Sequence, residues 1–234
     1  MGKKRTDAEA RFDRTSHYPP VEALNLAKAL ASAGFDESVE AAFYLGIDAR
    51  QADQAVRGTV SLPHGTGKAV RVLVFAEGER ARDATQAGAD IVGGSELAEA
   101  ITSGRQPLDW DVTISVPSLM SEVGKLGRVL GPRGLMPNPK AGTVVDDVGR
   151  AVKEFKAGKV EYRNDRFGNV HVAVGKVSFS EEALRQNLGV VVDELTRVRP
   201  AAAKGRYIRK LTVASTMGPG IKVDVNQLDS LDDT

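Results

Sequence analysis

Between Ala69 and Gly158, strand and helix signals alternate three times, and this alternation constrains the fold more than any other feature of the chain. "AVRVLVFA" is an apolar run broken only by Arg71, the pattern of a strand buried on both faces. "GERARDATQAG" follows as a short helix ending at Gly88, and "ADIVGG" as a second strand. "SELAEAITSG" reads as a helix with Ser95 as N-cap and Gly104 just past its end. "WDVTISV" is a third strand, Pro117 opens another helix, and "DDVGRAVKEFKAG" closes the region as a helix capped by Asp146 or Asp147. The pattern predicts a small Rossmann-like α/β domain over residues 67–156, with a mostly parallel sheet.

The flanks are incomplete by themselves. The first fifteen residues read as a frayed, charged arm. Pro19-Pro20 then opens a helix, "VEALNLAKALASAG", with Gly34 as its stop. "SVEAAFYLGID" is a strand, and "VRGTVSLPHGTGK" is rich in turn residues. One helix and one strand bury too little for a core. After Gly158, "KVEYRND" and "GNVHVAVGKVS" read as strands joined by a turn at Asp165–Gly168. Ser180 caps a helix whose stripe of Leu184, Leu188, Val191, Val192, Leu195 and Val198 faces a core. "RKLTVAST" and "GIKVDV" are two last strands. The economical solution joins residues 1–66 and 157–234 into one discontinuous α+β domain. The expected architecture is therefore α/β and α+β, two domains, the middle one inserted through crossings near Gly65–Gly67 and Lys156–Gly158.

Composition removes several function classes. With no cysteine and only His17, His64 and His171 at wide spacing, neither disulfides nor a histidine metal site is expected. No apolar run approaches the roughly 20 residues of a membrane span, and the N-terminus lacks the apolar centre of a secretory signal. Gly2 with Thr6 nominally fits an acylation pattern, without the second signal that stable anchoring needs. "GTGKAV" holds a Gly-Lys pair but has Ala69 where a phosphate loop needs Ser or Thr, and a strand follows instead of a helix. "VGKLG" lacks the same hydroxyl, and no G-x-G-x-x-G follows the first buried strand. No nucleophile elbow appears either. No catalytic residue, metal or cofactor is assigned. A nucleotide-binding α/β enzyme is the runner-up reading, disfavoured for want of an intact phosphate loop.

Charge points elsewhere. Net charge is +1, but Leu195–Val223 carries seven cations and no acid, which favours a polyanionic partner over a merely solvated face. The tail from Asp224 then carries four aspartates and no cation. "GRVLGPRGLMPNPKAGTV" is acid-free, with Arg128, Arg133 and Lys140 inside it and Lys125 just before. It reads as a rigid turn whose cations offer a secondary phosphate contact. "STMGPG" is either an ordinary strand connection or a loop whose hydroxyls and amides meet phosphate or ribose, with Met217 against a sugar or base. "YRNDRFGN" has the same two readings. Phe35, between Gly34 and Asp36, suits either stacking or a core.

Taken together, "FDESVE", "VRGTVSLPHGTGK", "GRVLGPRGLMPNPKAGTV", "YRNDRFGNVHVAVG" and "STMGP" resemble the bacterial ribosomal proteins of the mobile stalk beside the tRNA exit site of the large subunit. The resemblance runs from the first long helix to the last strand. It implies a two-domain, non-enzymatic protein, monomeric within the ribosome and cytoplasmic, with no membrane role. It implies binding to a structured segment of large-subunit rRNA, mainly through the terminal domain. The positions it marks are Phe35, Asp36 and Glu40; Thr59, Ser61 and His64; Arg163, Asp165 and His171; and Ser215, Thr216, Met217, Gly218 and Pro219. It further implies assistance to deacylated tRNA leaving the exit site, and repression through the protein's own operon mRNA. The acidic tail after Val225 stands outside the resemblance as an extra.

Overall fold

The structure is a computed structural model that describes residues 3–231; Gly2 and the last three residues of the acidic tail lie outside them. The chain begins with α1 (Lys3–Glu9), α2 (Pro20–Ala29), β1 (Ser38–Leu45) and β2 (Arg57–Ser61). It continues with β3 (Val72–Phe75), α3 (Gly78–Gln86), β4 (Ile91–Gly93), α4 (Ser95–Thr102), β5 (Val112–Ser115), α5 (Met120–Lys125), α6 (Gly127–Leu130) and α7 (Val148–Ala157). It ends with β6 (Lys159–Arg163), β7 (Asn169–Lys176), α8 (Glu181–Arg197), β8 (Ile208–Ser215) and β9 (Ile221–Val223). The chain divides into two compact units, one made of the residues up to Gly67 and from Val160 onward, the other of Lys68–Lys159. Among the described residues, no helix is long and apolar enough to cross a membrane.

The first unit is built on a four-stranded antiparallel sheet in the order β7-β1-β8-β9. Strand alternation sorts its side chains. Val39, Ala41, Phe43 and Leu45 of β1 are buried with Val170, Val172 and Val174 of β7 and Leu211 and Val213 of β8. Against them pack Ala23, Leu24 and Ala27 of α2 and the Leu184-to-Leu195 stripe of α8. Ser180 caps α8 by accepting from the Ala183 amide. The opposite face of the sheet stays open. Glu40, Ala42 and Tyr44 stand there with His171, Ala173, Lys210, Thr212, Ala214 and Lys222, partly or fully exposed. Ala42 lies opposite His171 on one side and Thr212 on the other, and Thr212 lies opposite Lys222, so one row crosses all four strands.

Three local expectations need correction. The N-terminal arm is not frayed. Past α1, Phe12 packs against the core, and Asp13 accepts from the Thr15 amide and hydroxyl and the Ser16 hydroxyl. Those bonds, the Ser16 one foremost, hold the Asp13 carboxyl at about 2. The first long helix stops at Ala29 rather than at Gly34, because the amides of Ser32 and Ala33 turn to the Glu37 carboxylate instead. "VRGTVSLPHG" is not all turn: β2 forms a two-stranded sheet with β6, helped by an Arg57–Glu161 ion pair at 2.6 Å. The described part of the acidic tail, about which the sequence carried no expectation, packs back: Leu231 is buried and its carbonyl accepts from Arg185 at 2.5 Å.

The second unit has a parallel three-stranded sheet in the order β4-β3-β5. All of β3 is buried, as an uninterrupted apolar strand requires. Asp147 caps α7 by accepting from the Arg150 amide. Ser95 does not cap α4. The cap residue is Gly94, whose amide donates to Glu96, while Glu77 crowds the same spot. Two carboxylates, Glu96 and Glu77, therefore stand at the N-terminus of α4. The proline-rich loop is rigid: Asn138 caps the short turn Pro139–Ala141, Thr143 is buried against Asn138, and Val144 bridges to Ser115 of β5. Its Arg128, Arg133 and Lys140 are exposed, whereas Lys125 pairs with Glu122 at 2.7 Å.

Candidate nucleic-acid interface

At the end of the open sheet where β1 begins and β8 ends, two separate chain segments meet. One is the loop from Leu30 to Glu37; the other is the β8–β9 connection, Thr216–Gly220. The Thr216 amide donates to the Ser38 carbonyl at 3.0 Å, and the Ser38 amide donates to the Thr216 hydroxyl at 2.9 Å. Glu37 is buried and joins them again. Its Oε1 accepts from the Ser32 and Ala33 amides at 2.9 and 2.7 Å, and its Oε2 accepts from the Met217 amide at 2.8 Å. Burial pushes the Glu37 carboxyl up, but these amides and the neighbouring Ser215 hydroxyl outweigh that and hold it below the ordinary carboxylate range. Its contribution to stability is therefore present above the unfolded value and is lost as pH falls through the depressed one.

Around this frame Asp36 accepts from the Ser178 amide and hydroxyl at 3.1 and 2.7 Å. Lys176 donates to the Ser38 hydroxyl at 2.9 Å. On top of the polar frame stand Phe35 and Met217, 58% and 63% exposed. These large apolar side chains are held exposed on loops whose backbone amides are hydrogen-bonded, not by fraying.

The structure brings Phe35, Asp36, Thr216 and Met217 together, with Glu40 and His171 farther along the open face. It changes the part played by three loop residues. Ser215 and Pro219 are buried, beneath the exposed side chains rather than among them. The Ser215 hydroxyl lies beside the Glu37 carboxylate without a well-formed hydrogen bond. The loop amides are not free donors either: Thr216 and Met217 are bonded as above, and Gly218 donates to the Ser215 carbonyl. Gly218 is glycine because a Cβ there would collide with Ser215 Oγ. Gly218→Ala is expected to cost about 1–3 kcal/mol through that overlap. Thermal melting should show most of the loss recovered in Gly218→Ala combined with Ser215→Ala.

The remaining positions fall in other places. Asp165 organises the turn before β7, accepting from the Phe167 and Asn169 amides and the Asn169 side chain at 2.8–2.9 Å. Burial pushes its carboxyl up, yet those bonds and the nearby His171 keep it low. Arg163, just before this turn, is exposed. Thr59 and Ser61 lie on the β2–β6 sheet. His64 is bonded to α8, through Gln186 at 2.6 Å and Asn187 at 3.1 Å, on the helix side of the main sheet rather than the open face.

Sequence reasoning missed three features. Glu37 carries no local signal beyond its place in "FDESVE". Phe167, 63% exposed with the Arg166 guanidinium 4.7 Å from its ring centre, was hidden among turn formers. Arg209 is the extra residue where the β1–β8 register slips, and it lies 5.9 Å from the Tyr44 ring on the open face. With Lys210 and Lys222 it gives that face three cations.

The profile of the Ribosomal protein L1p/L10e family matches residues 27–219. The large ribosomal subunit protein uL1 of Streptomyces griseus is 56% identical over 224 residues, 96% of this chain and 92% of the relative. That of Streptomyces coelicolor is 55% identical over the same shares. That of Thermobifida fusca is 57% identical over 219 residues, 94% of this chain and 92% of the relative. With a match across both compact units and this identity over nearly the full length, the chain belongs to the Ribosomal protein L1p/L10e family.

Proposed function

We propose that the chain is a structural constituent of the large ribosomal subunit and binds stalk rRNA through the unit formed by residues up to Gly67 and from Val160 onward. The observation that carries this reading is the Phe35–Met217 pair, held open on a rigid polar frame at one end of a cationic sheet face. An RNA double helix hides its base edges in a deep groove, so proteins read its 2′-hydroxyls, phosphates and irregular junctions. Exposed apolar side chains stack on sugars or unpaired bases, and the cations add a salt-sensitive background. The same surface accounts for repression, since an operon mRNA that copies the rRNA shape competes for it. From its place on the stalk the protein assists deacylated tRNA out of the exit site. Arg128, Arg133 and Lys140 of the second unit offer a secondary phosphate contact, and the working location is the cytoplasmic ribosome.

Thermal melting with separate additions of a stalk rRNA fragment, ATP and NAD tests the reading. A partner at about 100 times its Kd stabilises the fold by about 2.7 kcal/mol. The rRNA fragment is expected to raise the melting temperature, and an mRNA of the same shape to do so equally. Stabilisation by a nucleotide but not by RNA would return the chain to the enzyme reading.

A further inference from the structure

We infer that Glu37 is a positioning residue for RNA: a buried carboxylate that never touches the partner but fixes the two exposed side chains that do. This rests on the proposed RNA contact of the Phe35–Met217 surface. One oxygen holds the amides of Ser32 and Ala33, in the loop that carries Phe35. The other holds the amide of Met217 itself. The two segments are about 180 residues apart in sequence, and Glu37 is 1% exposed between them. A carboxylate is the side chain suited to this place, because it accepts at both oxygens and offers no donor. Fixing a contact before the partner arrives lowers the ordering cost of binding.

The role has an unusual sign. Removing a negative charge near an RNA surface ordinarily strengthens binding, since less repulsion opposes the phosphates. A positioning role predicts weakening. In Glu37→Gln the amide oxygen still serves Ser32 and Ala33, but the amide nitrogen then faces the Met217 N–H, donor against donor. The Met217 anchor alone is lost.

The experiment is a double-mutant cycle on the full chain. Affinity for a stalk rRNA fragment is measured for the unchanged chain, Glu37→Gln, Met217→Ala and the double variant, at several salt concentrations. Glu37→Gln is expected to bind about tenfold more weakly with an unchanged salt slope, and to change affinity less than about twofold when Met217 is already alanine. Equal losses in both backgrounds, or tighter binding, would overturn the positioning role while leaving the RNA contact standing. Unaltered binding by Met217→Ala would overturn the contact itself and the role with it. Amide hydrogen exchange on the unchanged chain needs no variant to fold: without RNA, the Met217 amide should already be protected. Rapid exchange there in the free, folded protein would also overturn the role.

Discussion

Replacing Phe35 and Met217 together by alanine is expected to weaken binding to stalk rRNA by about 100-fold, with little change in melting temperature. The magnitude follows from the kind of contact. An aromatic or apolar side chain stacked on a base contributes about 1–3 kcal/mol by alanine substitution. Two such contacts at the lower half of that range sum to about 2.8 kcal/mol, or 100-fold. Stability should hardly move, because both side chains are more than half exposed and the frame beneath them is made by backbone amides, Glu37 and Ser38. Surface changes away from buried partners usually stay within about 0.5 kcal/mol. The salt slope should also hold, since no cation is removed. Lys210→Ala with Lys222→Ala supplies the contrast: a flatter slope, with losses greatest at low salt. Filter binding across a salt series separates the two. An affinity within threefold of the unchanged chain for the Phe35/Met217 variant would remove this surface from the contact.

That separation of apolar grip from charge was only half legible in the sequence. The seven-cation run from Arg197 to Lys222 stands out, but it overstates the free charge. Arg197 is paired with Glu194 at 2.8 Å, and Arg199 donates to the carbonyls of Ala203 and Gly205. Local periodicity revealed what is local: the α8 stripe, its Ser180 cap, the alternating face of β1 and the buried β3. It could not reveal partners far along the chain. β2 looked like a turn because its pairing strand β6 lies about a hundred residues away. The helix after Pro20 seemed to run to Gly34 because the carboxylate that draws the Ser32 and Ala33 amides out of helical pairing belongs to Glu37, beyond the glycine. Ser215 and Thr216 look alike in "STMGP", yet Ser215 continues the buried alternation of Leu211 and Val213, while Thr216 stands exposed just past the end of β8.

The largest expected loss of stability is at a residue that the periodic reading of α8 passed over. Asn187 is fully buried in a helix otherwise lined by leucine and valine. Its Oδ1 accepts from the His64 amide at 3.1 Å, and its Nδ2 donates to the carbonyls of Gly65 and Val174 at 2.9 and 2.8 Å. Val174 is the extra residue where β7 slips register against Val39 and Glu40, so Asn187 serves an irregular part of the sheet. Asn187→Leu fits the helix and its apolar surroundings but leaves three backbone groups without this partner. Each costs about 1–3 kcal/mol when left buried and unpaired. A total near 3 kcal/mol should lower the melting temperature by about 6–12 °C in a chain of this size. A drop below about 2 °C would mean that water or relaxation replaces the side chain. The same contacts explain the "GTGK" stretch. Its Gly65 carbonyl is held by Asn187, and its Gly67, at φ 71°, lies so close to Lys176 and Phe179 that a Cβ would collide with both. The glycines are there to let the chain turn against the core as it leaves this unit, a packing requirement that imitates a phosphate loop without its chemistry.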